Sequence, residues 1–133
     1  MAQHYVIRLH PGQDLKKALA AFAKTKNLRA AWIVTAVGSL TTYQLRFANQ
    51  QEGYSEQGHF EIVSLTGALS ADSMHVHMSV SDSTGRTVGG HLLDGNIVYT
   101  TVELVIGATD NLEFSREIDT TYGYRELVVK PKQ

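Results

Sequence analysis

The chain has 133 residues, of which 43% are hydrophobic and 19% are charged, a composition typical of one folded globular domain. Its 12 basic and 13 acidic residues give a formal net charge of −1, so it lacks the basic excess that phosphate-binding proteins usually carry. It has no cysteine, which excludes disulfides, thiolate zinc sites and cysteine nucleophiles. No apolar run approaches the roughly 18 residues of a membrane span, and no signal peptide is evident, so we expect a cytoplasmic protein without membrane contact.

The first elements in the chain are a strand and a helix. Residues 4–10 have the β-type composition of a strand, which a Pro-Gly pair then ends. Residues 13–26 place apolar side chains at helical spacing opposite lysines, at Leu15, Leu19, Phe22 and Ala23. This pattern predicts an amphipathic helix whose apolar side packs on the core.

From residue 30 onward the pattern is almost entirely that of short strands, separated by Gly, Asn, Asp and Ser. A loop is predicted at residues 53–58. The predicted strands cover residues 30–40, 42–50, 59–70, 75–82, 86–93, 96–107, 112–118 and 124–129. We therefore expect an α+β fold: one domain over residues 1–133, with a mainly antiparallel β-sheet of about seven or eight strands packed with one main helix.

The segment M-H-V-H-M-S-V-S-D-S-T-G-R-T-V-G-G-H, residues 74–91, contains three of the six histidines. Its centre, D-S-T-G-R, is typical of a three-residue hairpin loop with Gly85 in the left-handed conformation. In that loop Asp82 pairs with Arg86, and this pairing fixes the register of the two strands.

The predicted register brings three histidines together. Side chains alternate along a strand, so His75 and His77 lie on one face, and the register places His91 directly opposite His77. Three imidazoles would then converge on one point, as in a divalent metal site with an open fourth position. Imidazole ligands suit zinc and also copper, nickel, iron or cobalt.

Two other registers remain open from the residues alone. A bulge at Gly89–Gly90 would move His91 to the other face of its strand. A two-residue turn at residues 84–85 would place His77 opposite Leu92. In either case the histidines would be polar strand residues and not a metal site.

Carboxylates could complete an enzymatic site around such a metal. Glu61 and Glu103 are candidate general bases if the metal activates water, and Asp94 is a further candidate for orienting a histidine ring. The sequence does not place any of these carboxylates relative to the histidines.

Two longer segments resemble one known family. They are G-H-F-E-I-V-S-L-T-G-A-L at residues 58–69 and G-R-T-V-G-G-H-L-L-D-G-N-I-V-Y-T-T-V-E-L-V-I-G at residues 85–107. Both are similar to the plants-and-prokaryotes-conserved (PPC) domain, also called DUF296, and the similarity covers nearly all of the chain in order. The resemblance, closest to stand-alone prokaryotic members, implies a fold with a central sheet and a homotrimer.

The resemblance also implies properties of the histidines and a partner. Prokaryotic members keep the three histidines, which implies that His75, His77 and His91 bind a divalent metal, with zinc the expected ion. Stand-alone members are labelled as DNA-binding proteins. Plant members bind AT-rich DNA through a separate R-G-R-P hook, which is absent here, and they have arginine where this chain has His59.

The residues and the resemblance together predict a small metal-binding protein of PPC type with room for a small-molecule ligand at the metal, and the resemblance implies a homotrimer with a DNA-binding or regulatory role. The alternative is a metal-dependent enzyme, a hydrolase or lyase acting on a small molecule at the three-histidine site. A third hypothesis is a purely structural interaction module.

Overall fold

A computed structural model describes residues 1–132, and in this range the chain forms eight strands and one helix. In chain order these elements are β1 (Ala2–Leu9), α1 (Leu15–Thr25), β2 (Ala31–Arg46), β3 (Tyr54–Leu69), β4 (Met74–Ser81), β5 (Thr87–Leu92), β6 (Ile97–Thr109), β7 (Leu112–Ile118) and β8 (Arg125–Pro131). The predicted α+β class, with a mainly antiparallel sheet and one main helix, is confirmed. Among the described residues, no helix has the length and apolar character needed to cross a membrane.

Six strands form one antiparallel sheet in the order β1-β6-β2-β3-β4-β5. The edge strand β5 also pairs with the end of β2, where Leu45 lies opposite Leu92 and Arg46 lies opposite His91. This pairing closes β2, β3, β4 and β5 into a small barrel, which removes the open sheet edge at that side. Strands β7 and β8 form a separate two-stranded hairpin.

The predicted helix is confirmed within two residues at each end. Its N-cap is Asp14, whose carboxylate accepts hydrogen bonds from the backbone N–H of Lys17, at 3.1 Å, and of Gly95, at 2.7 Å. The side facing the core is fully buried at Leu15, Leu19 and Ala23. The cap thus fixes the start of the helix and also ties it to the loop before β6.

Two predicted boundaries are wrong. Residues 30–40 and 42–50 were predicted as two strands, but residues 31–46 form one long strand, β2, with a register shift between Leu40 and Thr42. Residues 53–58 were predicted as a loop, but residues 54–58 begin β3, and residues 54–57 pair with the end of β2. Their polar sequence gives no strand signal, and the pairing with β2 imposes the extended conformation.

Buried and exposed side chains alternate along strand β4, so one face of the strand lies on the core and the other faces outward. Val76, Met78 and Val80 are at most 2% exposed and belong to the hydrophobic core, so the residues between them point outward. His75 and His77 are therefore on the outer face of the barrel wall.

Candidate metal centre

The loop between β4 and β5 is the predicted three-residue turn. The backbone N–H of Asp82 donates to the carbonyl of Arg86 at 2.9 Å, and the N–H of Gly85, whose φ is +84°, donates to the carbonyl of Asp82 at 3.0 Å. The Asp82 carboxylate accepts from the hydroxyl of Thr84 at 2.6 Å and from its N–H at 2.8 Å, which lowers the pKa of Asp82. The turn chemistry thus sets the strand register as predicted.

The register places His77 opposite His91, and both alternatives are wrong. Ser79 pairs with Gly89 and Met78 with Gly90 without interruption, so no bulge intervenes. Gly90 has a different role: a β-carbon there would lie 2.6 Å from the carbonyl oxygen of Arg46. The missing side chain lets the backbone of β5 approach β2 and close the barrel beside the histidines.

The three histidine rings converge as predicted. One ring nitrogen from each of His75, His77 and His91 lies within 4.8 Å of the other two. The Nε2 atoms of His75 and His77 are 3.2 Å apart. This is a hydrogen-bond distance between the two rings. It is also close to the separation of about 3.3–3.4 Å between two nitrogen ligands of a tetrahedral ion, each at about 2.0–2.1 Å from it.

The protonation and burial of the rings also fit a metal ion. The Nδ1 atom of His91 is buried and has no hydrogen-bond partner among the described residues. Burial, with a smaller effect of the Arg46 guanidinium, lowers the pKa of His91 to about 4. Burial also lowers the pKa of His75, with a further contribution from His77. At neutral pH these imidazoles are therefore neutral, which is the form that binds a metal.

An open cleft of about 950 Å³ lies beside His75 and His91. Its wall combines residues before and at the start of β4 with residues of the β7–β8 hairpin. Charged side chains dominate this wall: Arg29, Arg46, Arg116, Arg125, Asp72, Glu113 and Glu126. A smaller adjoining depression is lined by His75 and His77 together with Arg116 and Glu126.

The charged residues of the cleft are not evenly paired. Arg29 forms ion pairs with Asp72, at 3.5 Å, and with Glu113. Within residues 1–132, Arg46, Arg116 and Arg125 form no ion pair. Arg46 donates to the carbonyl of Gln50 at 3.2 Å, and Arg125 donates to the carbonyl of Arg116 at 2.9 Å.

The structure does not bring the predicted carboxylates to the histidines. Glu61 lines a different cavity, of about 480 Å³, together with His59 and Tyr99. Glu103 lies on β6 opposite Arg8 of β1, and Asp94 lies in the loop between β5 and β6. The carboxylate that does lie beside the triad, Glu126, was missed because it comes from a hairpin that contacts the site only through the tertiary fold.

Comparisons with known proteins agree with this architecture. Residues 1–110 match the model of the Plants and Prokaryotes Conserved domain. The bifunctional protein GlmU of Synechococcus sp. (strain JA-3-3Ab) is 44% identical over 126 residues, and the match covers 95% of this chain and 20% of that protein. The AT-hook motif nuclear-localized protein 13 of Arabidopsis thaliana is 31% identical over 116 residues, covering 78% of this chain and 26% of that protein. The chain thus spans about a fifth to a quarter of the length of these relatives.

Solved structures share the fold over nearly the whole chain. A hypothetical protein from Salmonella cholerae-suis is 44% identical with a TM-score of 0.98, covering 100% of this chain and 96% of that one. A candidate DNA-binding protein from Bacteroides thetaiotaomicron is 26% identical with a TM-score of 0.83, covering 94% and 91%. A metal-containing protein from Archaeoglobus fulgidus is 25% identical with a TM-score of 0.80, covering 95% and 93%. The chain belongs to the Plants and Prokaryotes Conserved (PPC) domain family.

Proposed function

We propose that this chain is a homotrimeric metal-binding PPC protein of the cytoplasm with a role in DNA-associated regulation, and that residues 1–133 act as one domain. Each subunit holds one divalent ion, zinc, through His75, His77 and His91. The observation that carries the proposal is the convergence of three ring nitrogens within 4.8 Å on one rigid hairpin.

Several features support zinc at this position. The ligand set contains only imidazole nitrogens, and a three-histidine site leaves a fourth tetrahedral position for water or a ligand. The similar Archaeoglobus fulgidus protein is described as metal-containing. When bound, the ion would supply a Lewis acid beside the cleft, while the three histidines would hold it and the arginines of the cleft would set the charge around it.

The role in DNA-associated regulation is supported by the relatives. AT-hook nuclear-localized proteins of Arabidopsis share this domain, and the similar Bacteroides structure is that of a candidate DNA-binding protein. The net charge of −1 argues against strong direct contact with phosphates. We therefore propose that the domain associates with DNA through partner proteins, and not through a basic surface on this chain.

An exposed apolar surface supports the trimer. Val6, Val37 and Val63, on three strands of the main sheet, are each at least 59% exposed, and Val34 and Tyr99 are also exposed. Isolated exposed valines are common, but several on neighbouring strands are typical of a subunit interface. Burial of this surface between subunits would remove it from water.

The decisive experiment measures metal content and mass on untagged protein. Elemental analysis should give about one zinc per subunit, and light scattering should give the mass of three subunits. His77→Ala should lose the metal, whereas His59→Ala, outside the triad, should retain it. Less than about a tenth of an equivalent in the unmodified protein, with no uptake of added zinc or cobalt, would refute the metal site.

A metal-dependent hydrolase or lyase is the second candidate function, and the open cleft beside the triad favours it. Glu126 lines this cleft and the adjoining depression beside the histidines, so it would be the carboxylate that serves as general base if the three histidines held a metal. Turnover that requires both the metal and Glu126 would establish this function in place of the regulatory one.

A further inference from the structure

We propose that the cleft beside the triad binds a small-molecule oxyanion, a carboxylate or phosphate group, which occupies the fourth position of the metal and is held by Arg46 and Arg116. The inference rests on the proposed metal site and names the class of ligand that this site takes.

The two arginines come from different elements that both border the triad. Arg46, at the end of β2, is the cross-strand partner of His91 and lines the cleft. Arg116, on β7, lines the cleft next to His75 and also the adjoining depression that contains His77. A ligand on the metal would therefore share one cleft with two guanidinium groups, whose planar donor pairs match the oxygens of a carboxylate or phosphate.

The charge of the cleft favours an anion. Two of its three carboxylates, Asp72 and Glu113, are already paired with Arg29. Glu126 is the single remaining carboxylate among the described lining residues, against the three unpaired arginines Arg46, Arg116 and Arg125. Neutral imidazoles leave both charges of a divalent ion uncompensated, so the occupied site would be strongly positive.

The shape of the cleft indicates a small molecule. Its volume of about 950 Å³ lies within the range of roughly 300–1,000 Å³ typical of small-molecule sites. The wall contains Phe114, Met74 and Tyr124, which offer apolar contact for the body of a ligand beside the charged groups. An organic acid or a phosphate ester has this combination of a charged end and an apolar body.

Two parts of the chain contribute to the proposed site. The metal ligands and Arg46 lie in residues 1–110, which match the family model, whereas Arg116 and Glu126 lie beyond it on the β7–β8 hairpin. The hairpin would therefore determine which anion this chain selects, while the family segment supplies the metal.

Cobalt substitution gives a direct test. The protein is loaded with Co²⁺, whose visible absorption reports its coordination, and titrated with inorganic phosphate and with malonate. Both anions should change the spectrum saturably, whereas malonamide, which has a similar size and no charge, should not. Arg46→Gln and Arg116→Gln should each weaken anion binding on the order of tenfold while Co²⁺ uptake stays within about twofold.

Arg8→Gln is the matched control, because Arg8 lies on β1, outside the cleft, and donates to the Thr101 hydroxyl. It should bind both anions as the unmodified protein does. Circular dichroism of each variant checks that it is folded. Unchanged spectra up to about 10 mM anion, or anion affinity in both cleft variants equal to that of the unmodified protein, would overturn the anion site while leaving the metal site standing. Failure of the unmodified protein to take up Co²⁺ would overturn both.

Discussion

The β4–β5 and β7–β8 hairpins meet at the same cleft but are held to the protein in different ways. The β4–β5 hairpin is part of the six-stranded sheet, with Val76, Met78, Val80 and Leu92 fully buried in the core. The β7–β8 hairpin forms its own two-stranded sheet, and its apolar residues Ile118, Tyr122 and Tyr124 are each at least 64% exposed.

Under the proposed function, this difference would give each hairpin a different task. Metal ligands must be held within a fraction of an ångström, and a strand fixed by core packing and by pairing on both sides provides that precision. Charged groups that attract an anion act over longer distances and tolerate more movement. The rigid hairpin carries the histidines, and the separate hairpin carries Arg116 and Glu126.

Gly90→Ala tests how firmly the first hairpin is anchored and should have the largest effect. A β-carbon at 2.6 Å from the Arg46 carbonyl must push β5 away from β2, so we expect a loss of about 1–3 kcal/mol of unfolding free energy and weaker metal binding. Urea denaturation measures the first effect and a zinc titration the second.

Gly89→Ala is the control in the same strand, because its β-carbon would lie 3.1 Å from the Met78 carbonyl and from the Ser79 side chain. It should cost less than half as much stability as Gly90→Ala. Equal losses in the two variants would show that the approach of β5 to β2 is not what anchors the hairpin.

The turns of the two hairpins allow a matched comparison of pH dependence. Each begins with an aspartate that accepts from the residue two positions later: Asp82 from Thr84, and Asp119 from Thr121, at 2.8 Å to the N–H in both cases. These hydrogen bonds lower the pKa of both carboxyls. A lowered folded-state pKa gives stability that is present above the unfolded value near 3.8 and is lost as the pH falls below it.

Asp82→Ala should therefore destabilise the protein at pH 7 and have a diminishing effect as the pH falls below about 4. Asp119→Ala should leave global unfolding almost unchanged at every pH, because its hairpin lies outside the main sheet. Urea melts of both variants between pH 3 and pH 7 measure the difference. Equal destabilisation by the two variants would show that the hairpins unfold together with the core.

The two hairpins also differ in how much of their structure the sequence could predict. The His77–His91 pair follows from local chemistry. The D-S-T-G-R turn fixes the register of the two strands, and the alternation of side chains along each strand places both histidines on the same face. The placement of Arg116 and Glu126 beside the triad depends on where β7 attaches, and that contact joins residues far apart in the chain: the N–H of Phe114 donates to the carbonyl of Arg29 at 2.9 Å. Nothing in the local pattern near residue 114 signals this contact.

The early start of β3 illustrates the same limit. Residues 54–58 are mostly polar and carry no local strand pattern, yet the Tyr43 hydroxyl donates to the Glu56 carboxylate at 2.6 Å across the β2–β3 ladder. Partner strands impose this conformation, so periodicity within the segment cannot reveal it. Local turn chemistry therefore predicted the cluster of three histidines, while tertiary contacts determined the surroundings of the cluster.

Glu113→Gln tests how the second hairpin is attached and should have only a small effect on global stability. The Arg29–Glu113 ion pair is partly exposed, so its loss should cost about 0–1 kcal/mol. Because the pair joins the hairpin to the residue just before the β2 region, limited proteolysis between β7 and β8 should nevertheless become faster. Glu117→Gln is the control, since Glu117 pairs with Lys130 inside the hairpin at 3.3 Å and should leave the attachment intact. If Glu113→Gln leaves the cleavage rate unchanged, the ion pair is not needed to hold the hairpin. The hydrogen bond from the Phe114 N–H to the Arg29 carbonyl would then be sufficient to keep this wall of the cleft in place.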